Sequence, residues 1–368
     1  MPIIRLSPSG GPIGHAASPV RPESHPKSDV TQPTTLEGVL SELMSRPPQP
    51  RTSRKIALPK RDPSSNGPSA IRAEMAGYLF LRAAKRQHVE GADLADLENG
   101  QKALELTREA LNHGRGNVKS DSQAAIVRTA AARTLQARQI PAGAAFEQLF
   151  GGRTGSAAKT GEISATAMFT GAGNCGEHSE VAAAMLSTVM EPDQSAQRVT
   201  DFRNDHAWTE LARDPASAQR HPGNVVIDPW ADGPAIFAED GKYSSEMHPV
   251  VIASYSSLEA KGILAEAQKG VAALAGFTSP SEAVNETYAR NLRPGAPEWT
   301  PEPVLDQYSA SYDLYHLEKS GDKETIGLRK EILAAGVARS LGANVANAAA
   351  IAPEIIKEAY TLSGKKIT

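Results

Sequence analysis

Cysteine is nearly absent from this sequence, since Cys175 is the one cysteine among 368 residues. A disulfide within the chain is therefore excluded, and so is a cysteine-rich metal site. A lone thiol is either a small buried side chain or a reactive group. The residues that surround Cys175 in the sequence have to decide between these two roles.

Long apolar runs and an excess of positive charge are also lacking. No apolar run approaches the roughly 18 residues that cross a bilayer, so no transmembrane segment is expected. The start of the chain lacks the apolar stretch of a secretory signal peptide, and Pro2 stands where a myristoylation signal needs glycine. The net charge is -3 without a basic stripe, so no nucleic-acid partner is expected.

Aromatic residues make up only 5% of the chain, whereas alanine is abundant. A hydrophobic content of 40% is enough for a soluble protein to bury a core. With few rings to fill it, that core should consist mostly of helices packed through small side chains.

Residues 1–69 differ in composition from the rest of the chain. They hold 13 of the 26 prolines and few large apolar side chains. Such a segment cannot bury enough surface to offset its ordering entropy, so we expect a disordered leader. Within it, the spacing of apolar residues at 36–44 fits a short amphipathic helix, either a docking segment or a transient helix without a partner.

Helical periodicity begins at residue 70. Apolar spacing and end signals predict helices over 70–88, 93–112, 120–138 and 142–150. Together they predict a helical subdomain over 70–150.

Residues 151–368 mix two periodicities. The Gly-, Ser- and Thr-rich stretch 151–165 is predicted to be a loop, and a helix follows over 175–190. Short strands are predicted at 198–202, 207–211, 224–227 and 249–254, and helices at 258–276, 281–291, 321–341 and 344–362. The fold class predicted is therefore α+β, with a small antiparallel sheet.

Three short motifs combine residues that thiol chemistry needs: GNCGEH at 173–178, NDHAW at 204–208 and VIDPW at 226–230. Cys175 follows a Gly-rich turn and begins an Ala-rich helix. A helix N-terminus favours a thiolate, which is the reactive form of cysteine. Unpaired N–H groups there, including that of Gly176, can form an oxyanion hole, to which Asn174 could add a donor.

The second and third motifs supply a base and an acid. His206 begins a short apolar strand, and Asp228 ends another strand because Pro229 stops the pairing. If the strands are neighbours, Asp228 can orient His206, which in turn activates Cys175. Trp208 and Trp230 would then shield the site or line its cleft.

Other assignments remain open at this stage. Asp205 and Asp232 are alternative acids, but Asp228 has the better defined place at a strand end. His178 is an alternative base, although a helix would hold it beside Cys175 rather than across a cleft. Glu177 and Glu180 favour the helix dipole but oppose a thiolate.

No cofactor or metal is implied by these residues. Cys175, His178 and His206 could bind zinc, but no fourth ligand has recognisable spacing. The short stretch at 171–173 lacks the strand and helix context of a phosphate-binding loop and is better explained as the turn before Cys175.

The order of Cys, His and Asp in these motifs resembles the papain-like core of the transglutaminase-like superfamily. Within that group, residues 70–365 are similar to the AvrPphE/HopX (XopE-like) type III effectors of plant-pathogenic bacteria. The resemblance implies a triad of Cys175, His206 and Asp228 in a catalytic domain over 151–368 with C-terminal helices. Some relatives have an N-terminal glycine for lipidation, from which Pro2 departs.

The resemblance also implies a function and a location. The chain would be a cysteine protease, deamidase or transglutaminase acting on host plant proteins of immune signalling. Residues 1–69 resemble a type III secretion signal, which would deliver the chain into the host cell and could bind a secretion chaperone. Two alternatives stay open: a non-enzymatic module that sequesters a host protein, and an ordinary peptide N-glycanase-like or arylamine transferase-like enzyme.

Overall fold

The computed structural model describes residues 55–57, 70–118, 121, 127–140, 155–214, 219–243, 248–276, 299–319 and 321–366. Residues 55–57, which fall within the predicted leader, form a strand that pairs with residues 70–72. The rest of that leader, with the helix predicted at 36–44, lies outside the described residues. So do the helices predicted at 142–150 and 281–291.

Helices account for most of the described chain. They are α1 Ala73–Ala84, α2 Gly91–Ala110, α3 Val127–Gln139, α4 Ser156–Thr170, α5 Cys175–Leu186, α6 Ser257–Ala275, α7 Gln307–Lys319, α8 Lys323–Ser340 and α9 Val345–Leu362. The strands are β1 Lys55–Ala57, β2 Ala70–Arg72, β3 Gly114–Arg115, β4 Ala172–Gly173, β5 Ser195–Asp201, β6 His206–Ala212, β7 Val225–Ile227, β8 Ile236–Phe237 and β9 Val250–Ser256, with a 3-10 turn at Ala238–Asp240.

The main sheet is antiparallel, with its described strands in the order β8-β7-β6-β5-β9. Asp201 pairs with His206 at the closed end of the β5–β6 hairpin. Thr209 of β6 pairs with Ile227 of β7, so β6 begins at the end of the sheet where β7 stops. The predicted combination of helices with a small antiparallel sheet is confirmed, and β8 is an additional strand.

One cluster of buried apolar side chains extends from α1 to α9 and includes residues on both sides of position 150. Helix α5 packs against β6, and α2 packs against both α5 and β7. Close approach depends on small residues, because a Cβ at Gly100 of α2 would lie 2.6 Å from the Cγ1 atom of Val225. The core thus anchors the two strands and the helix that carry the three motifs.

The loop predicted over 151–165 is wrong from Ser156 onward, where α4 begins. The small polar residues of this helix bond back to its own carbonyls, as where Thr166 Oγ1 donates to the carbonyl of Ile163 at 3.1 Å. Their small size lets α4 lie close to α6, and a Cβ at Gly161 would lie 3.4 Å from Glu266 Cβ. Tertiary packing therefore outweighs the low helix propensity of Ser, Thr and Gly.

Helix α7 was also missed by the sequence analysis. Its buried residues are Ala310 and Leu314 alone, whereas Tyr308, Tyr312 and Tyr315 are largely exposed. So few buried positions leave only a weak helical period in the sequence.

Candidate active site

The thiol of Cys175 lies at the start of α5 and is half-buried. Asn174 is the residue before the helix, and its N–H donates to the Glu177 carboxylate at 2.8 Å. The first backbone bond runs from the His178 N–H to the Asn174 carbonyl at 2.9 Å. The N–H groups of Cys175 and Gly176 therefore have no acceptor within the helix, and they stand at the positive end of its dipole.

A tight hairpin turn brings His206 to this thiol. Asp205, just before His206, has a left-handed backbone with φ of 47°. Its carbonyl oxygen lies 3.6 Å from Cys175 Sγ, as a hydrogen-bond acceptor. The Asp201 carboxylate holds the turn by accepting from Asn204 Nδ2 at 2.8 Å. This turn therefore positions both the Asp205 carbonyl beside the thiol and the His206 imidazole.

His206 and Asp228 form a buried pair. His206 Nε2 lies 2.6 Å from Asp228 Oδ2, and the two residues are only 5% and 3% exposed. Asp228 Oδ1 also accepts from the Ala231 N–H at 3.0 Å, which fixes the carboxylate just past the end of β7. With Nε2 bound to Asp228, the other ring nitrogen is left for proton exchange with Cys175.

The electrostatics of the pair favour its charged form. Burial opposes a charged imidazole, but the Asp228 carboxylate and the Cys175 side chain outweigh it and raise the pKa of His206 to about 10. Burial likewise opposes the Asp228 anion, but His206 and the Ala231 N–H outweigh it and lower the pKa of Asp228. At neutral pH the pair is therefore an imidazolium and a carboxylate.

Cys175 and His206 open into a cleft of about 410 Å³. Its walls include the aromatic rings of Trp230, Trp299 and Tyr243. Trp230 is fixed there because its Nε1 donates to Asn117 Oδ1 at 3.1 Å. The full lining is Asn117, Arg138, Asn174, Cys175, Gly176, Thr200, Asn204, Asp205, His206, Ala207, Trp230, Lys242, Tyr243, Trp299, Thr300 and Glu302.

The predicted substrate-positioning residues divide into two groups. Asn174, Gly176 and Trp230 line the cleft, whereas Trp208 does not. Trp208 is 2% exposed, with its ring 5.6 Å from that of His206 and stacked on Tyr243 at 5.4 Å. Its bulk supports the back of the imidazole, so its location fits the shielding alternative predicted for Trp208 and not the cleft-lining, substrate-positioning one.

The alternative acids and base occupy other positions. Asp232 Oδ1 accepts from Arg115 Nη1 at 3.2 Å, and Asp205 approaches the thiol through its carbonyl. His178 is buried with Nδ1 2.9 Å from the Asn174 carbonyl. The carboxylate that contacts His206 is that of Asp228.

Two buried arginines that the sequence analysis missed hold the loop after Asp228. Arg108 Nη2 donates to the carbonyls of Ala231 and Gly233, each at 2.9 Å. Arg115 Nη1 donates to the Trp230 carbonyl at 2.7 Å. Burial lowers the pKa of Arg108. Both arginines lie more than a hundred positions before the loop, so no local motif could reveal them.

The carboxylates expected to oppose a thiolate each have an arginine partner. Arg138 Nε and Nη2 contact the two oxygens of Glu177 at 2.5 and 3.0 Å. Arg198 Nη2 lies 2.6 Å from Glu180 Oε1. Burial raises the pKa of Glu177, but Arg138 outweighs it and the net shift is downward. Each arginine offsets the negative charge of its glutamate, so these carboxylates repel a Cys175 thiolate less than unpaired carboxylates would.

Comparison with known proteins gives no match to a family model, to a curated protein or to a solved structure. Among the described residues, no helix is long and apolar enough to cross a membrane. The same part of the chain contains no group of three or more His, Cys, Asp or Glu residues that could hold a metal ion. Any assignment of function must therefore come from the geometry and the motifs.

Proposed function

We propose that this chain is a thiol enzyme that transfers acyl groups, with Cys175 as nucleophile, His206 as base and Asp228 as the orienting acid. The observation that carries the proposal is the buried His206–Asp228 pair, with 2.6 Å between Nε2 and Oδ2, beside a thiol at a helix N-terminus. Thiol catalysis needs an activated cysteine, a base within reach and a group that holds that base in place.

In the proposed reaction, the Cys175 thiolate attacks the carbon of an amide and forms a C–S bond. The resulting oxyanion is stabilised by N–H groups at the start of α5, among them that of Gly176. The His206 imidazolium donates a proton to the nitrogen, the C–N bond breaks and the amine leaves. Water or another amine then attacks the thioester while neutral His206 accepts its proton. The C–S bond breaks, the acyl group leaves on the water oxygen or amine nitrogen, and the Cys175 thiolate and His206 imidazolium are restored.

The cleft suits an extended peptide or a glutamine side chain with its neighbours. Its volume of about 410 Å³ is within the usual range for sites that enclose a small group. Cysteine protease, deamidase and transglutaminase reactions share the steps above and differ in acyl donor and acceptor. The proposal covers this class of thiol hydrolases and acyltransferases.

The resemblance of the three motifs to an effector family adds a biological role to the proposal. The chain would be a type III effector of the AvrPphE/HopX kind that modifies host plant proteins in immune signalling. Residues 1–69 would carry the secretion signal and any chaperone site. This extension rests on the three motifs.

The reactivity of the single thiol tests the triad directly. Iodoacetamide alkylates Cys175 alone, so the rate against pH is a single curve for the full chain and for His206→Ala. We expect the variant to react at least about tenfold more slowly near neutral pH, because the imidazolium that favours the thiolate is gone. Equal rates in both proteins would overturn the triad.

A second comparison tests the effector role. Leaves that produce the chain or its Cys175→Ala variant are assayed for a pattern-triggered immune response. Suppression by the chain but not by the variant is expected of an enzyme. Equal suppression by both would favour the module that sequesters a host protein.

A further inference from the structure

Arg138 of α3 forms a two-pronged ion pair with Glu177 in the first turn of α5. Its Nε and Nη2 atoms lie 2.5 and 3.0 Å from the two carboxylate oxygens. The Glu177 side chain is 9% exposed, whereas that of Arg138 is 51% exposed and lines the cleft beside Cys175. The ion pair therefore links the buried Glu177 carboxylate to an arginine that lies on the wall of the cleft.

Glu177 has a structural task that works against the chemistry proposed. Its carboxylate accepts from the Asn174 N–H at 2.8 Å and so helps to start α5 directly before Cys175. A negative charge two residues beyond the nucleophile also repels a thiolate. Glu177 thus stabilises the start of the helix as a hydrogen-bond acceptor, while its negative charge disfavours a thiolate at Cys175.

Arg138 is placed to cancel that charge. The hydrogen bond to Glu177 is the largest cause that raises the pKa of Arg138, and electrostatic interactions with Cys175 and Asp205 add to it. The guanidinium is thus within electrostatic range of the thiol as well as bonded to Glu177.

We propose that Arg138 is a positioning residue for the nucleophile, which neutralises Glu177 so that α5 and His206 can hold Cys175 as a thiolate. The inference rests on the proposed function. The other charged and titratable groups around the thiol belong to several elements: Asp205 and His206 on the hairpin, Asp228 after β7, His178 on α5, and the ion-paired Lys242 and Glu302 across the cleft.

The test is the iodoacetamide rate of the full chain over about pH 5 to 9 in four proteins: wild type, Arg138→Gln, Glu177→Gln and the double variant. Arg138→Gln should react about tenfold more slowly near pH 6, because Glu177 then repels the thiolate. At the alkaline limit, where the thiol is ionised anyway, the rates should agree within about twofold. The double variant should regain the wild-type rate, since glutamine keeps the hydrogen-bond acceptor without the charge.

Arg213→Gln is the matched control. The Arg213 side chain is also 51% exposed and binds two carboxylates, those of Asp93 and Asp96. It lies just past the far end of β6, whose first residue is His206, at about 20 Å along the strand. Its loss should leave the alkylation curve unchanged, and circular dichroism of each variant reports whether the fold is kept.

The outcomes separate this inference from the proposed function. If His206→Ala slows alkylation but Arg138→Gln matches the wild type near pH 6, the triad stands and the role of Arg138 is refuted. A double variant as slow as Arg138→Gln would also refute it, since the effect would then not act through Glu177. If His206→Ala has no effect while Arg138→Gln still slows the reaction, the proposed function fails and the charge balance at Cys175 stands.

Discussion

Replacing Asp228 by asparagine tests the most consequential electrostatic feature of the molecule. The amide keeps the size of the carboxylate but cannot stabilise the His206 imidazolium. Because the folded-state pKa of His206 is raised from 6.5 to about 10, its stabilising effect is fully present below about pH 6.5. The effect is lost as the pH rises through about 10.

The size of this contribution follows from the two pKa values. At 1.36 kcal/mol per pH unit, the raised pKa of His206 stabilises the folded state by about 4 kcal/mol at pH 7 and by less than about 1 kcal/mol at pH 10. This value is similar to the loss of stability, about 3 to 5 kcal/mol, that follows when one partner of a buried ion pair is removed. Asp228→Asn should therefore destabilise the protein strongly at neutral pH and much less at pH 10.

The assay is urea unfolding followed by tryptophan fluorescence, in a Cys175→Ser background so that thiol ionisation does not contribute. Cys175 supplies the smaller part of the upward shift in the His206 pKa, so the loss expected at pH 7 in this background is somewhat below about 4 kcal/mol. Other groups also titrate near pH 10, so the quantity of interest is the difference in unfolding free energy, at each pH, between that background protein and its Asp228→Asn variant. Asp96→Asn is the control, because Asp96 Oδ2 is paired at 2.5 Å with Arg213, which stays charged throughout. A loss from Asp228→Asn that is equal at pH 6 and pH 10, as expected for the control, would refute the reasoning.

Three further substitutions test the supports of the site. Asp205→Val should cost about 1 to 2 kcal/mol, because a β-branched residue resists the left-handed backbone, and should slow alkylation of Cys175. Arg108→Met should cost about 3 kcal/mol in urea unfolding, since the loop carbonyls of Pro229, Ala231 and Gly233 lose a charged hydrogen-bond donor. Gly100→Ala should cost about 1 to 3 kcal/mol through overpacking against Val225, as measured by the same unfolding.

Each of these substitutions has a matched comparison. Asp205→Asn tolerates a left-handed backbone, so a loss as large as that of valine would contradict the backbone argument. Arg108→Lys keeps the positive charge. If it loses as much stability as Arg108→Met, the arrangement of the guanidinium N–H donors, and not the charge, holds the loop. Gly262→Ala lies in a helix with no heavy atom within 4 Å of the added Cβ, so it should be neutral or stabilising. A similar loss at Gly262 and Gly100 would rule out overpacking.

Local signals were enough to predict most elements of the described chain. The helix at 175–190 and the strands at 207–211 and 224–227 correspond to α5, β6 and β7, because turn residues delimit them in the sequence. The neighbouring positions of His206 and Asp228 were a conditional prediction, and the β6–β7 pairing meets that condition. Helix α4 was missed because its stability comes from packing rather than from an apolar stripe.

Contacts between distant parts of the chain were out of reach. Arg138 lies 39 positions from Glu177, and Arg108 lies 123 positions from Ala231. Neither arginine belongs to a motif, and a single sequence gives no means of pairing them with their partners. The exclusion of Trp208 from the cleft has the same origin, since a strand residue next to His206 can be placed on a face only when the packing of both faces is known.

The two arginines behind the loop after Asp228 also bear on how this protein can diverge. Arg108 and Arg115 bind backbone carbonyls of residues 230, 231 and 233, and every residue type supplies a carbonyl. The side chains of this loop can therefore change, and with them the shape of the cleft wall, while the carboxylate that orients His206 stays in place.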